Sequence, residues 1–161
     1  MPSLFNKSPW SDQMLAVLRI VCGALFVSYG TMKLFGYPPS PTPMPPFDVT
    51  SQLGVAGMLE VFGGLLIVLG LLTRPVAFVL AGEMAVAYFQ AHAPRSFFPT
   101  VNNGVPAVLY CFVFLYLAAA GAGPWSIDRV LGRRSLRMSR DDTEVTHTPP
   151  RAASHRPDRA A

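Results

Sequence analysis

The stretch Leu53–Arg74, LGVAGMLEVFGGLLIVLGLLTR, decides the fold. It is apolar or glycine throughout except for one acid, Glu60, and it closes on Thr73 and Arg74. At a rise of ~1.5 Å per residue, a helix over 53–72 covers a hydrocarbon layer ~30 Å thick. The pattern therefore predicts a membrane-spanning helix. A carboxylate inside such a span costs roughly 2.5–3.5 kcal/mol on insertion scales. The rest of the chain has to supply what faces it.

Composition supports a membrane domain with polar ends. The 161 residues are 51% hydrophobic and 14% charged. Eight of the thirteen Lys and Arg follow Pro124, namely Arg129, Arg133, Arg134, Arg137, Arg140, Arg151, Arg156 and Arg159. The basic pI thus describes a tail and not a surface for nucleic acid. Between 14 and 123 there are only eight ionisable Asp, Glu, Lys, Arg or His residues.

Outward from the central stretch, the chain predicts an all-α bundle of four transmembrane helices, over about 14–35, 53–72, 75–92 and 105–122. Residues 1–13 form an N-terminal tail in which Ser11 or Asp12 can cap the first span and Trp10 suits the headgroup layer. No small-x-small cleavage site follows the first apolar stretch, so a signal peptide is not expected. In that span Arg19, Cys22, Gly23, Phe26, Gly30 and Lys33 form one stripe, and its glycines would let a neighbouring backbone come close. The plainer reading of Arg19 and Lys33 is snorkelling to opposite interfaces. Residues 36–52 hold six prolines between Pro38 and Pro46, which exclude a helix and favour a stiff extended connection. Asp48, Thr50 and Ser51 then offer caps. Gly57, Glu60 and Gly64 share a face, so the acid points at a helix and not at lipid. Pro75 suits a first helical turn, making spans two and three a hairpin.

Span three carries a second acid, Glu83, and a polar far end at Tyr88, Gln90 and His92. The 93–104 connection holds Arg95, the pair Phe97–Phe98 and a turn at Asn102–Asn103–Gly104. Span four has no charge. Residues 124–134 are expected at the membrane surface, with Ser126 capping a short helix, and 135–161 as a disordered basic tail.

The arginine bias places both termini in the cytoplasm, with Lys7 agreeing and Arg95 dissenting. Counting residues then puts Lys33 near the outer boundary, Glu60 about 10 Å inside it, Glu83 about 13 Å inside it and His92 close to it. Lys33, Glu60, Glu83, His92 and Arg19 are the candidate buried polar pocket; Lys33 fits Glu60 best, and Arg19 fits its depth poorly. The competing reading is that these charges only pin helix packing. Cys22 and Cys111 differ in depth by about 11 Å, too far for a disulfide. No metal-ligand spacing, phosphate loop or nucleophile elbow appears, so no metal is expected.

Several motifs together resemble the DoxX family of small integral membrane proteins. They are L-R-I-V-x-G-x-L-F at Leu18–Phe26, G-x-x-K-L-F at Gly30–Phe35 and L-E-x-x-G-G-L-L-x-x-L-G-L-x-T-R at Leu59–Arg74. Further matches are G-E-M-A-V-A-Y-F-x-x-H at Gly82–His92, S-F-F-P at Ser96–Pro99 and G-P-W-S-I-D at Gly123–Asp128. The chain departs from the family where Gly-Gly-Glu often precedes span four; Asn103, Gly104 and Val105 stand here. The resemblance implies a multi-pass inner-membrane protein in the lipid bilayer. It also implies an accessory or quinone-linked subunit of a membrane redox system, with a soluble or membrane oxidoreductase as partner. Quinone enters by that resemblance alone, and catalysis would be at most that of a subunit. The alternatives are a small-solute or proton transporter, or a structural membrane partner without activity of its own.

Overall fold

The computed structural model describes residues 10–41, 43–46 and 48–132. The expected N-terminal tail up to residue 9, with Lys7, and the expected disordered tail from 135 onward lie outside the described residues. Among those described there are four long α-helices, a short helical stretch over 127–132 and no strand; the long helices are α1 Ser11–Phe35, α2 Gln52–Leu69, α3 Thr73–Ala87 and α4 Val105–Ala120. The chain from α3 continues without a break into a π-helical turn, Tyr88–His92. Residues up to Val130 form one compact unit. Of the second unit, Leu131–Ala161, residues 131 and 132 are described, and both are helical.

The helix ends follow from local chemistry. Gly36 and Gly70 close α1 and α2 in the left-handed region, with φ of 66° and 65°, a conformation that costs glycine nothing. Ser51 caps α2, its Oγ accepting from the Gly54 amide at 3.0 Å. The expected Ser11 or Asp12 cap is not formed. α1 begins at Ser11 itself, and Trp10 takes the cap position without a side-chain cap bond. The prolines of 36–51 carry no helix.

α1 packs most extensively on α2, and α3 on α4, while α2 meets α3 along a thinner seam. Glycine sets the α1–α2 approach. A Cβ on Gly30 would lie 2.7 Å from the Val61 amide nitrogen and 2.8 Å from the Gly57 carbonyl oxygen. The two backbones touch there, so no side chain fits. All four helices feed one core of Phe26, Ile67, Ala77, Leu80, Ala81, Met84, Phe114 and Leu117. Phe26 stands edge-on to Phe114 with centroids 4.8 Å apart. The outward positions are also apolar, with Leu25, Phe62, Leu69, Phe78, Leu109 and Phe112 all exposed. α1 and α2 are long and apolar enough to cross a membrane.

One end of the helix set is locked by polar side chains. Arg19 is fully buried. Its guanidinium donates to the carbonyls of Ile67 and Val68 at 2.5 Å, and of Ala122 and Trp125 at 2.9 Å. The first two belong to the last turn of α2, where carbonyls lack helical partners and the dipole favours a cation. Asp128 answers at the start of α3, accepting from the amides of Leu72 at 2.8 Å and Thr73 at 2.9 Å. Burial pushes the Asp128 carboxyl up, but the Thr73 and Leu72 amides outweigh it and hold the group below its ordinary value. That contribution to stability is present above the unfolded carboxyl value and is lost as pH falls through the lowered one.

Two glycine substitutions separate close packing from helix propensity. Gly30→Ala forces apart two backbones and is expected to cost about 1–3 kcal/mol. Gly82, where an added Cβ meets nothing within 4 Å, should tolerate alanine and gain up to about 1 kcal/mol from propensity. Unfolding of both variants in a mild detergent checks this. Equal effects would mean that the α1–α2 seam is not in contact.

Candidate functional site

Three helices send ionisable groups to one place. Lys33 lies in the last turn of α1, Glu60 in the middle of α2 and Glu83 late in α3. The Lys33 ammonium donates to Glu60 Oε1 at 2.5 Å. Glu60 is 2% exposed as a residue. Glycine makes this pair geometrically available. A Cβ on Gly57, one turn before Glu60, would lie 2.7 Å from Leu34 Cδ2 and 3.2 Å from Lys33 Cβ. The missing side chain lets the lysine stem lie against α2 and deliver its charge to the acid.

The pair leaves acceptors over. Glu60 Oε2 and both carboxyl oxygens of Glu83 are buried with no hydrogen-bond partner among the described residues. Glu83 is close enough to Glu60 and Lys33 to interact with both charges. Two acids therefore share one amine. In a low-dielectric interior a lone ionised carboxylate is not stable, and it takes either a proton or a cation.

Space adjoins these groups. A cavity of about 520 Å³ at the α2–α3 seam is lined by Lys33, Gln52, Leu59, Val79, Glu83 and Met84, among others. Beside it, a groove of about 450 Å³ runs toward the start of α3 between Phe62, Leu66, Pro75, Val76 and Leu80. The two share Val55, Leu59 and Val79. Gln52 donates to Gln90 Oε1, joining the start of α2 to the π turn beside the cavity.

Two of the five expected pocket residues stand elsewhere. Arg19 serves the carbonyl lock described above. His92 turns away to the 96–104 loop, its Nδ1 lying 3.1 Å from the Asn102 carbonyl oxygen and its ring stacking on Tyr88. Asn102, 2% exposed, is the centre of that loop. Its amide donates to the Ser96 carbonyl at 2.6 Å, and its Oδ1 accepts from the Gly104 amide at 2.7 Å. Tyr88 donates to the Phe97 carbonyl at 2.5 Å. The sequence marks Asn102 only as a turn residue; no spacing signals that its amide ties the loop together. Gln90 stood out only as part of the polar end of span three, and nothing in the sequence pairs it with Gln52, 38 residues away.

Comparison with known proteins adds an independent view. Residues 14–93, from α1 through the π turn, match the DoxX family. An "uncharacterized protein" of Haemophilus influenzae is 40% identical over 126 residues, covering 76% of this chain and 94% of its own. The "Inner membrane protein YqjF" of Escherichia coli is 33% identical over 126 residues, covering 76% of this chain and 95% of its own. No solved structure matches.

The Lys33–Glu60 pair can be tested by a double-mutant cycle. Removing one member of a buried pair typically costs ~3–5 kcal/mol, because the other charge is left alone. Lys33→Met and Glu60→Leu should each destabilise the protein in detergent, and the double variant should recover part of the loss. A double loss equal to the plain sum would show that the two side chains do not meet.

Proposed function

The chain belongs to the DoxX family of membrane proteins, and we propose that it crosses the inner membrane four times and exchanges protons at Lys33, Glu60 and Glu83 to move a small solute. Both termini lie in the cytoplasm in this reading, which the arginines after Pro124 support. α3 and its π turn together run 20 residues, about 30 Å at helical rise. α4 adds 16 apolar residues. One observation carries the functional part: Glu83 lines a cavity, and its two carboxyl oxygens are buried behind that wall without a partner among the described residues. Ionisable groups placed at such depth with a cavity beside them belong to proton relays and substrate paths.

A second reading, favoured by the six family motifs, is an accessory subunit of a membrane redox system. A quinone head presents acceptor oxygens and requires donors. The cavity wall offers Lys33, which is held by Glu60, and Gln52, which is held by Gln90. A protonated Glu83 would supply one donor where a quinone head has two acceptors. Lys33 and Gln52 each keep N–H donors beyond these bonds, but nothing in the set is particular to a quinone, so the redox reading rests on the family motifs and a partner oxidoreductase.

Proteoliposomes under an imposed pH gradient distinguish the readings. The wild-type chain is expected to move protons when its solute is supplied from a small-molecule panel. Glu83→Gln should lose this by the about 10²–10⁴-fold typical of a missing proton-transfer group. Wild-type vesicles as tight as empty ones, together with copurification of an oxidoreductase that Glu83→Gln leaves unchanged, would replace the transport reading with the redox one.

A further inference from the structure

We propose that the α2–α3 groove binds a hydrophobic ammonium ion, a primary amine with an apolar body, in place of a proton on Glu83. The proposal rests on the reading of this cluster as a working site and names its ligand class.

Charge comes first. The cluster holds two carboxyls and one amine, and Glu60 already holds that amine. Glu60, 2% exposed with its second oxygen unpartnered, adds a buried acceptor to the two of Glu83. When Glu83 is ionised, the cluster carries one uncompensated negative charge. A cationic head balances it, an anionic head is repelled, and a neutral head does neither. A primary ammonium also brings three N–H donors to a cluster that has three carboxyl oxygens without partners among the described residues.

Size and lining choose between kinds of cation. Hard metal ions require shells of about six to eight oxygens, and the wall around Glu83 is mostly aliphatic, with Val55, Ala56, Leu59, Val79 and Val86. The cavity of about 520 Å³ lies in the range of small-organic sites, roughly 300–1,000 Å³. Val55, Leu59 and Val79 line both this cavity and the adjacent apolar groove past Phe62 and Leu66. A ligand that fills both therefore has a charged end and a water-avoiding end. The α2–α3 interface beside the cavity is thinner than those of α1 with α2 and of α3 with α4.

The exchange balances in protons. A protonated Glu83 and an ammonium ion give a bound ammonium–carboxylate pair and one released proton. Affinity therefore rises with pH for as long as free Glu83 keeps its proton, and levels off above that while the amine stays charged, up to about pH 10.

Calorimetry on the full chain in phosphatidylcholine nanodiscs tests this, with 2-phenylethylammonium as probe and neutral 2-phenylethanol as its control. Proton release is read by repeating the titration in buffers of different ionisation heat. The expected result is saturable binding with release of about one proton, tighter at higher pH, and no saturable binding of the alcohol. Glu83→Gln should weaken binding about tenfold or more, since a desolvated ion pair contributes more than 1.4 kcal/mol. Leu66→Trp, which narrows the apolar groove at a residue that does not line the cavity of Glu83, should weaken binding while leaving proton exchange in vesicles in place. Equal binding by wild type and Glu83→Gln, equal binding of alcohol and ammonium, or no binding by a monodisperse wild-type protein would overturn the proposal. If proton exchange persists in those cases, the proton reading stands without this ligand; if Glu83→Gln also leaves proton exchange unchanged, both fall.

Discussion

A carboxylate inside an apolar helix has to be balanced, and the structure around Glu60 is arranged by that requirement. The balancing cation comes from α1, so α1 and α2 must lie against one another in a register that brings Lys33 to Glu60. Glycine supplies the approach: at Gly30 the two backbones touch, and at Gly57 the Leu34 side chain and the base of the Lys33 stem occupy the space a side chain would have taken. The same register brings Phe26 and Ile67 into the core shared with α3 and α4. The pair contributes more to specificity of register than to net stability, since burying two ions offsets much of their attraction.

The opposite end of the helix set solves a different problem with the same economy of charge. The last turn of α2 leaves carbonyl acceptors short of helical donors, even though the Gly70 amide reaches the Ile67 carbonyl, and in a water-poor setting these need donors from the protein. Arg19 provides them, and its remaining nitrogens hold the carbonyls of Ala122 and Trp125. Asp128 closes the arrangement from the following segment by capping α3, while its own amide donates to the Gly70 carbonyl at 2.9 Å. Arg19 and Asp128 thus tie three chain segments, and the G-P-W-S-I-D run gains a structural reason.

Much of the helix pattern was legible in the sequence because apolar runs of about twenty residues, bounded by glycine and proline, admit few other readings. The pairing of Lys33 with Glu60 could be approached because both residues sit at countable depths on glycine-lined faces. Arg19 was misleading for a physical reason: its partners are backbone carbonyls, which every residue has and no sequence pattern marks. An arginine and two acids in one apolar domain look like an ion-pair set even when the arginine serves a helix end. His92 was drawn toward the acids by depth alone. The π turn widens the helix from Tyr88 onward, so α-helical spacing no longer tells which way residue 92 faces. Glu83 was visible as a second acid, but the sequence could not show that its oxygens are left without a donor beside an open seam.

Glu83, as proposed, is a reactive acid at an apolar groove within the membrane. Carbodiimides that differ in lipid solubility test it directly, because they convert a protonated carboxyl into a stable N-acylurea where they can reach it. The full chain in native membranes is treated with dicyclohexylcarbodiimide or with a water-soluble carbodiimide, and the adduct is located by peptide mass spectrometry. The account predicts modification at Glu83 by the lipid-soluble reagent alone, with no adduct at that position in Glu83→Gln. Modification of Glu83 by the water-soluble reagent to the same extent, or a lipid-soluble adduct that forms elsewhere and spares Glu83, would contradict it.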